Sequence, residues 1–305
     1  MKAIYTVLLL CLIGTSGNIM PVSYAQEIPP VPASEKPQTS ALKLLELGDD
    51  RTIAQDYKGA IAAYNQALAI NPSFVLAYIS RGYARFRSRD FQGAEADLKR
   101  AIQIDPTYSS AYASLGFFYL GSENYQSALQ NFTLAIQVNQ NWVEGSLSDT
   151  YIGRGLTRLE LKTYQGALAD LNQAIQTNPR SSPAYTGRGM VYVELKQYQA
   201  ALADFNQAIQ LNSNWKGIKL AMAYRERGLL YSKLGSRSKA VADFQKSSDL
   251  YQRRGDRREY LALLSRIYQS QTDGLPLQVD LPCYVITASG KVADLNRLCV
   301  SSTPQ

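Results

Sequence analysis

Apolar and polar residues follow a helical period along most of this chain, and the pattern itself recurs. YQGALADLNQAIQTNP (Tyr164 to Pro179) returns 34 residues later as YQAALADFNQAIQLNS (Tyr198 to Ser213), identical at twelve of sixteen positions. Aligned on that pair, the chain divides into six units: 41–74, 75–108, 109–142, 148–181, 182–215 and 221–254. A period between about 20 and 50 residues marks a solenoid of stacked units. The eighth position is Gly in all six (Gly48, Gly82, Gly116, Gly155, Gly189, Gly228), and the twentieth is Ala (Ala60, Ala94, Ala128, Ala167, Ala201, Ala240). Position 27 is Ala in five units and Ser247 in the last. Large residues hold position 24 (Tyr64, Leu98, Phe132, Leu171, Phe205, Phe244), and Tyr holds position 4 from the second unit on, at Tyr78, Tyr112, Tyr151, Tyr185 and Tyr224.

Positions 20, 24, 27 and 28 share one helical face. Helices approach closely only where a small residue on one faces a large residue on the other, and these positions supply both. Position 16 is Asp56, Asp90, Asn124, Thr163, Gln197 or Ser236, so five of six start a second helix with an N-cap former. Pro72, Pro106 and Pro179 follow Asn or Asp where that helix should stop. Each unit is therefore predicted to be helix, turn, helix.

This set of residues resembles the tetratricopeptide repeat family over about 214 of 305 residues. The resemblance implies an all-α fold, with antiparallel helix pairs stacked into a right-handed superhelix that has a concave inner surface. Unit 1 is a weaker copy, with Leu44 at the aromatic position and Arg51 where Tyr is usual, as terminal units commonly deviate. GDRREYLALLSRIYQSQ (255–271) is expected to cap the last unit as a helix. The spacing breaks twice, by five residues each time, after Trp142 and after Trp215, the two tryptophans of the chain. Two readings stand. Either a two-unit block was duplicated and each Trp packs at an opened joint, or longer first helices in units 4 and 6 present Trp142 and Trp215 as contacts.

The ends change the picture. Residues 1–25 carry Lys2, an apolar run from Ala3 to about Ile13, and Ser23 and Ala25 at the −3 and −1 positions of a cleavage site. That is the form of a secretory signal, with retention as an anchor the alternative. The expected location is exported: periplasmic or extracellular, with the thylakoid lumen open if the chain is cyanobacterial. Residues 26–40 hold four prolines without apolar periodicity and read as a disordered linker. No later segment is long and apolar enough to span a bilayer. After cleavage two cysteines remain, Cys283 and Cys299, read as a disulfide in an oxidising setting. Between them lie a strand at 284–287, a turn at 288–291 and a returning strand at 292–293, so 272–305 is expected to be a disulfide-closed, hairpin-like tail. The pattern from Cys283 to Cys299 resembles a short Cys-flanked motif of exported cyanobacterial proteins. Structural closure and a ligand-binding tag are both open.

The composition argues against catalysis. There is no histidine, hence no general base of the commonest kind, and no nucleophile elbow or phosphate-binding loop. Two thiols without histidine make a zinc site improbable. Asp97, Asp170, Asp204 and Asp243 are expected on solvated outer faces. No cofactor or metal is expected.

In the resembled family the first helix of each unit lines the groove. Carried onto this chain, that implies Tyr83, Phe86, Phe117, Leu120, Leu156, Leu159, Met190, Val193 and Leu229, an apolar lining suited to a helix or extended apolar segment of a partner protein. Packing of Leu156, Leu159 and Val193 against one another is the alternative. The family's carboxylate clamp of Lys and Asn at the fifth and ninth positions is missing. Net charge is +7, and residues 216–259 account for that surplus with twelve Lys/Arg against five Asp/Glu. Arg225, Arg227, Arg253, Arg254, Arg257 and Arg258 form a candidate basic patch for an anionic surface or wall polymer. Nucleic acid is not an expected partner. The sequence thus points to a non-catalytic interaction scaffold of the cell envelope, with an adaptor for anionic surfaces as the alternative.

Overall fold

The computed structural model describes residues 37–142, 146–211, 218–253, 262–263, 266, 284–286 and 292–294. Twelve helices lie among them: α1 (Pro37–Ile53), α2 (Tyr57–Ile70), α3 (Val75–Arg87), α4 (Phe91–Ile104), α5 (Ser109–Gly121), α6 (Tyr125–Val138), α7 (Ser146–Glu160), α8 (Tyr164–Thr177), α9 (Ser182–Glu194), α10 (Tyr198–Leu211), α11 (Ile218–Lys233) and α12 (Arg237–Arg253). Odd and even helices are the first and second helices of the six units. Backbone pairing joins two short antiparallel strands, β1 (Tyr284–Ile286) and β2 (Val292–Asp294), with Val285 opposite Ala293. Residues 1–204 and 205–305 form two compact units.

The sequence rules become visible as packing. Gly116 of α5 faces the ring of Phe132 on α6 so closely that a Cβ at Gly116 would lie 2.7 Å from Phe132 Cδ1. The same pairing sets Gly82 against Leu98, Gly155 against Leu171 and Gly228 against Phe244. The large partners are buried, as are the alanines of position 20. In unit 1 the partner is Tyr64, whose buried hydroxyl donates to Asp49 at 2.7 Å. Burial raises both the Tyr64 phenol and the Asp49 carboxyl above their usual ranges.

Helix ends are closed locally. Asp56, Asp90 and Asn124 each accept from the backbone N–H three residues on, at 3.0, 2.9 and 3.2 Å. Thr163 instead donates its hydroxyl to the Arg158 carbonyl. Ahead of each second helix, the N–H of position 16 reaches back to the carbonyl of position 11, as in Thr163 to Arg158 at 2.8 Å. This closure requires a left-handed residue at position 15. That residue is Gln55, Arg89, Glu123, Lys162 and Lys196 in turn, with φ from 57° to 69°, and Gly235 in the last unit.

The first helices of units 4 and 6 are longer than those of units 2, 3 and 5: α7 has 15 residues and α11 has 16, against 13 in α3, α5 and α9. Of the segment 255–271 only Ala262, Leu263 and Arg266 are described; all three are helical, and Leu263 is buried. Residues 1–36, Cys283 and Cys299 lie outside the described residues.

Two outcomes follow from this packing. Gly116→Ala should cost about 1–3 kcal/mol in urea unfolding by overpacking Phe132, and much less in a Phe132→Leu background. At the turns, Gly235→Ala should cost about 1 kcal/mol for its left-handed φ, whereas Lys162→Gly should leave stability unchanged or raised.

Candidate functional site

Arginine recurs at position 7 of units 2, 4, 5 and 6, always with aspartate at position 23. Arg81 grips Asp97 through Nε and Nη2 at 2.8 and 2.6 Å. Arg188 holds Asp204 in the same fork at 2.8 and 2.7 Å, and Arg227 holds Asp243 at 2.7 Å twice. Arg154 reaches Asp170 at 3.0 and 2.7 Å. The remaining nitrogen, Nη1, reaches back to the second helix of the preceding unit: Arg81 to Asn65, Arg188 to Asn172, Arg227 to Asn206, and Arg154 more distantly to Thr133. Each guanidinium also lies near the position-4 Tyr ring of its own helix, 5.3 to 5.7 Å from Tyr78, Tyr151, Tyr185 and Tyr224. One planar cation thus ties three consecutive helices, a task for which the guanidinium fork is suited and an ammonium is not. Arg85 and Arg158 add a second cation to Asp97 and Asp170, both at 2.8 Å.

This corrects two expectations. Asp97, Asp170, Asp204 and Asp243 are not on solvated faces: they are 3%, 2%, 6% and 3% exposed. Buried carboxylates are stable only when paired and hydrogen-bonded, and the forks supply that. Nor do Arg225 and Arg227 offer an open basic surface. Arg225 is 5% exposed with Nε on Glu226 at 3.0 Å, and Arg227 is committed to Asp243. Of the rest of that patch, Arg253 is exposed, and Arg254, Arg257 and Arg258 lie outside the described residues.

The first-helix surface divides in two. Phe117 is buried edge-on against Phe132, with ring centroids 4.8 Å apart, and Gly153 of the next first helix lies against both rings. Leu156 is likewise buried, one turn-face along, against Gly187. Leu120, Leu159 and Met190 are buried as well, and Val193 is half-buried. In units 3 and 4 the first helix thus packs on the next through position 9, against Gly153 and Gly187 at position 6, which leaves Phe117 and Leu156 little surface to offer.

Tyr83, Phe86 and Leu229 stay half-exposed. Phe86 packs edge-on with Phe91 and Phe118, centroids 5.5 and 5.8 Å away. Arg87 donates to the Tyr83 hydroxyl at 2.8 Å and lies over the rings of Tyr57 and Tyr83. Phe91 is 49% exposed. Units 1 and 2 thus carry two neighbouring aromatic groups in sequence, Phe86 with the exposed Phe91 and Tyr83 with Arg87, which can take apolar side chains and still hydrogen-bond. Phe91 and Tyr57 escaped the sequence reading, which followed only first-helix positions. The signal was there: position 17 is aromatic in five units, at Tyr57, Phe91, Tyr125, Tyr164 and Tyr198.

Trp142 is half-buried, its indole N–H donating to Asn139 at 2.9 Å; Trp215 lies outside the described residues. Among the described residues no three His, Cys, Asp or Glu side chains are grouped to hold a metal, and no helix is long and apolar enough to cross a membrane.

The comparisons agree with this geometry. Models described as tetratricopeptide repeats match residues 48–88, 75–108 and 182–214. The fold is shared with PilF of Pseudomonas aeruginosa, at TM-score 0.58 and 16% identity, covering 75% of this chain and 99% of that one. It is also shared with a tetratricopeptide repeat protein of Parabacteroides merdae, at 0.59 and 19%, covering 76% and 84%. PilW, a type IV pilus biogenesis factor, aligns at 0.59 and 17%, covering 73% and 98%. No curated protein matches the chain by sequence. Three segments thus match tetratricopeptide-repeat models, and the array of helix pairs is the fold shared with these structures. Such repeats are protein–protein interaction scaffolds, typically without catalytic function.

The clamp makes a direct prediction. Arg188→Leu leaves Asp204 buried without its partner and should cost about 2–3 kcal/mol in urea unfolding. Arg188→Leu with Asp204→Asn recreates the Leu115 and Asn131 combination of unit 3 and should recover at least half of that loss.

Proposed function

We propose that this chain is a non-catalytic scaffold of the cell envelope that binds an apolar helix or extended segment of a partner protein on the aromatic surface of units 1 and 2. The observation that carries this reading is the set of partly exposed aromatic residues on α3 and the start of α4, Tyr83 bonded to Arg87 and Phe86 packed on the exposed Phe91. Rigid aromatic side chains bury large areas at little entropic cost, which is why they dominate protein contacts. Of the groove residues of units 3 to 5 named from the resemblance, Phe117 and Leu156 join first helices and Leu120, Leu159 and Met190 are buried, so this reading moves the contact surface toward the N-terminal units.

Export is supported by the sequence of residues 1–25 and by the pair of cysteines that would remain after cleavage. In this reading Cys283 and Cys299 form a disulfide that closes β1 and β2 into a staple for a segment too small to own a core. One of the similar structures is a type IV pilus biogenesis factor by name. At 17% identity it supports the fold, and the envelope assignment rests on the N-terminal residues.

A photo-reactive amino acid at Phe91 tests the proposal in the native host. Capture of one envelope protein should fall at least tenfold in Tyr83→Ala with Phe86→Ala, with the far-ultraviolet spectrum unchanged. It should barely respond to ionic strength, since apolar contact is not screened. Undiminished capture by the double variant, or loss at moderate salt, overturns this reading.

A further inference from the structure

Arg87 is the exception among the arginines of the first helices. Every other one, from Arg51 to Arg227, meets a carboxylate at 2.6 to 3.7 Å. Arg87, half-buried at the end of α3, is paired with no carboxylate of the described residues. Its contacts are aromatic. The guanidinium carbon lies 4.8 Å from the ring centre of Tyr57 on α2 and 5.8 Å from that of Tyr83, and Nη1 donates to the Tyr83 hydroxyl at 2.8 Å. The Nε and Nη2 edge bonds to no described residue, and neither nitrogen is buried. With that same edge Arg81, Arg188 and Arg227 each fork an aspartate. The carboxylates nearest along the chain are committed elsewhere. Asp56 accepts from the Gly59 N–H and pairs with Arg51, and Asp90 accepts from the Gly93 N–H and pairs with Arg85. Aromatic faces stabilise a cation but leave its N–H groups in need of an acceptor.

We infer that Arg87 receives an acidic side chain of the partner segment, an Asp or Glu set among that segment's apolar residues. This rests on the reading that units 1 and 2 bind a polypeptide. The chemistry of the edge selects the group. Two parallel N–H donors match a carboxylate bidentately, this chain makes that pairing in four of its units, and a carboxylate is the anion that unmodified polypeptide carries on its side chains. Contacts with Tyr57 and Tyr83 already hold the guanidinium, so little freedom is lost when the fork closes. Tyr83 shares a face of α3 with Phe86 and Arg87, three and four residues on, which puts apolar contact and ion pair on one helix. Position 13 is Arg in unit 2 alone, against Ile53, Gly121, Glu160, Glu194 and Lys233 elsewhere. A single anchor of this kind fixes the register of the bound segment.

Selection of a displayed random peptide library on the purified protein tests the inference. The selected peptides should place Asp or Glu at one fixed position among apolar residues. For a synthetic peptide of that sequence, Arg87→Gln should raise the dissociation constant at least tenfold. Replacing the peptide's acid by its amide should do the same, and both changes together should cost little more than either alone. Arg87→Glu, the residue that units 4 and 5 carry at this position, should select Lys or Arg there instead. A single half-buried pair is weakly screened, so the response to salt stays small. Apolar peptides without a fixed acidic position overturn this inference and leave the binding surface of units 1 and 2 in place. Acidic peptides held equally well by Arg87→Gln overturn it too, since the basic residues of 216–259 are then the attractant. Peptides indifferent to Tyr83→Ala with Phe86→Ala, or no selected peptide at all, overturn both this inference and the reading beneath it.

Discussion

Everything in this chain depends on how closely two helices of one unit can lie. Glycine at position 8 removes the side chain that would otherwise strike the large residue at position 24, and the ring of Phe132 or the branch of Leu171 fills the space. Close packing of this kind is felt to within a methylene, so the small residue and the large one act as a single specification. Alanine at positions 20 and 27 extends it along the second helix. Once each hairpin is set, stacking is a matter of nearest neighbours, as in other repeat arrays.

Polar chemistry is laid over that apolar frame. A position-7 arginine is worth little as an exposed ion pair, but here it is half-buried, forked onto a buried carboxylate and joined to the preceding unit. Its value is positional as much as energetic: the fork fixes an angle that Leu or Val contacts leave free. Unit 3 dispenses with it, using Leu115 and Asn131, and there Tyr119 donates to Glu95 at 2.7 Å while Lys99 pairs with the same carboxylate. Those contacts hold Glu95 below the usual carboxylate range, the Lys99 and Tyr119 hydrogen bonds being the main causes.

The architecture was legible because six copies in one chain act as an alignment of themselves. Gly at 8 and Ala at 20 stand out without any outside comparison. The clamp was legible too, and went unread. Arg at 7 occurs in the four units that have Asp at 23, and the two units without Arg (Leu47 with Ala63, Leu115 with Asn131) also lack Asp. Asp170 looks like an outer-face charge on its own helix; only the neighbouring helices, which a single-helix periodicity does not represent, turn that face inward. The binding surface was half legible. Tyr83 and Phe86 followed from first-helix register, but exposure also depends on what the next first helix sets against the side chain. Gly153 and Gly187 lie against Phe117 and Leu156, while Phe91 sits at the turn, outside any groove rule.

The junction between units 2 and 3 is joined differently from the others. Lys99 stands where Asn65, Asn172 and Asn206 accept from the following arginine, and Leu115 stands where that arginine would be. The directional contacts at that junction are Tyr119 on Glu95 and the Asn141 amide on the Thr107 hydroxyl at 3.1 Å, and Phe86 packs edge-on with Phe118 across it. Water can compete for an exposed hydrogen bond in a way it cannot compete for a buried fork, so the register of this seam is the one most sensitive to the solvent.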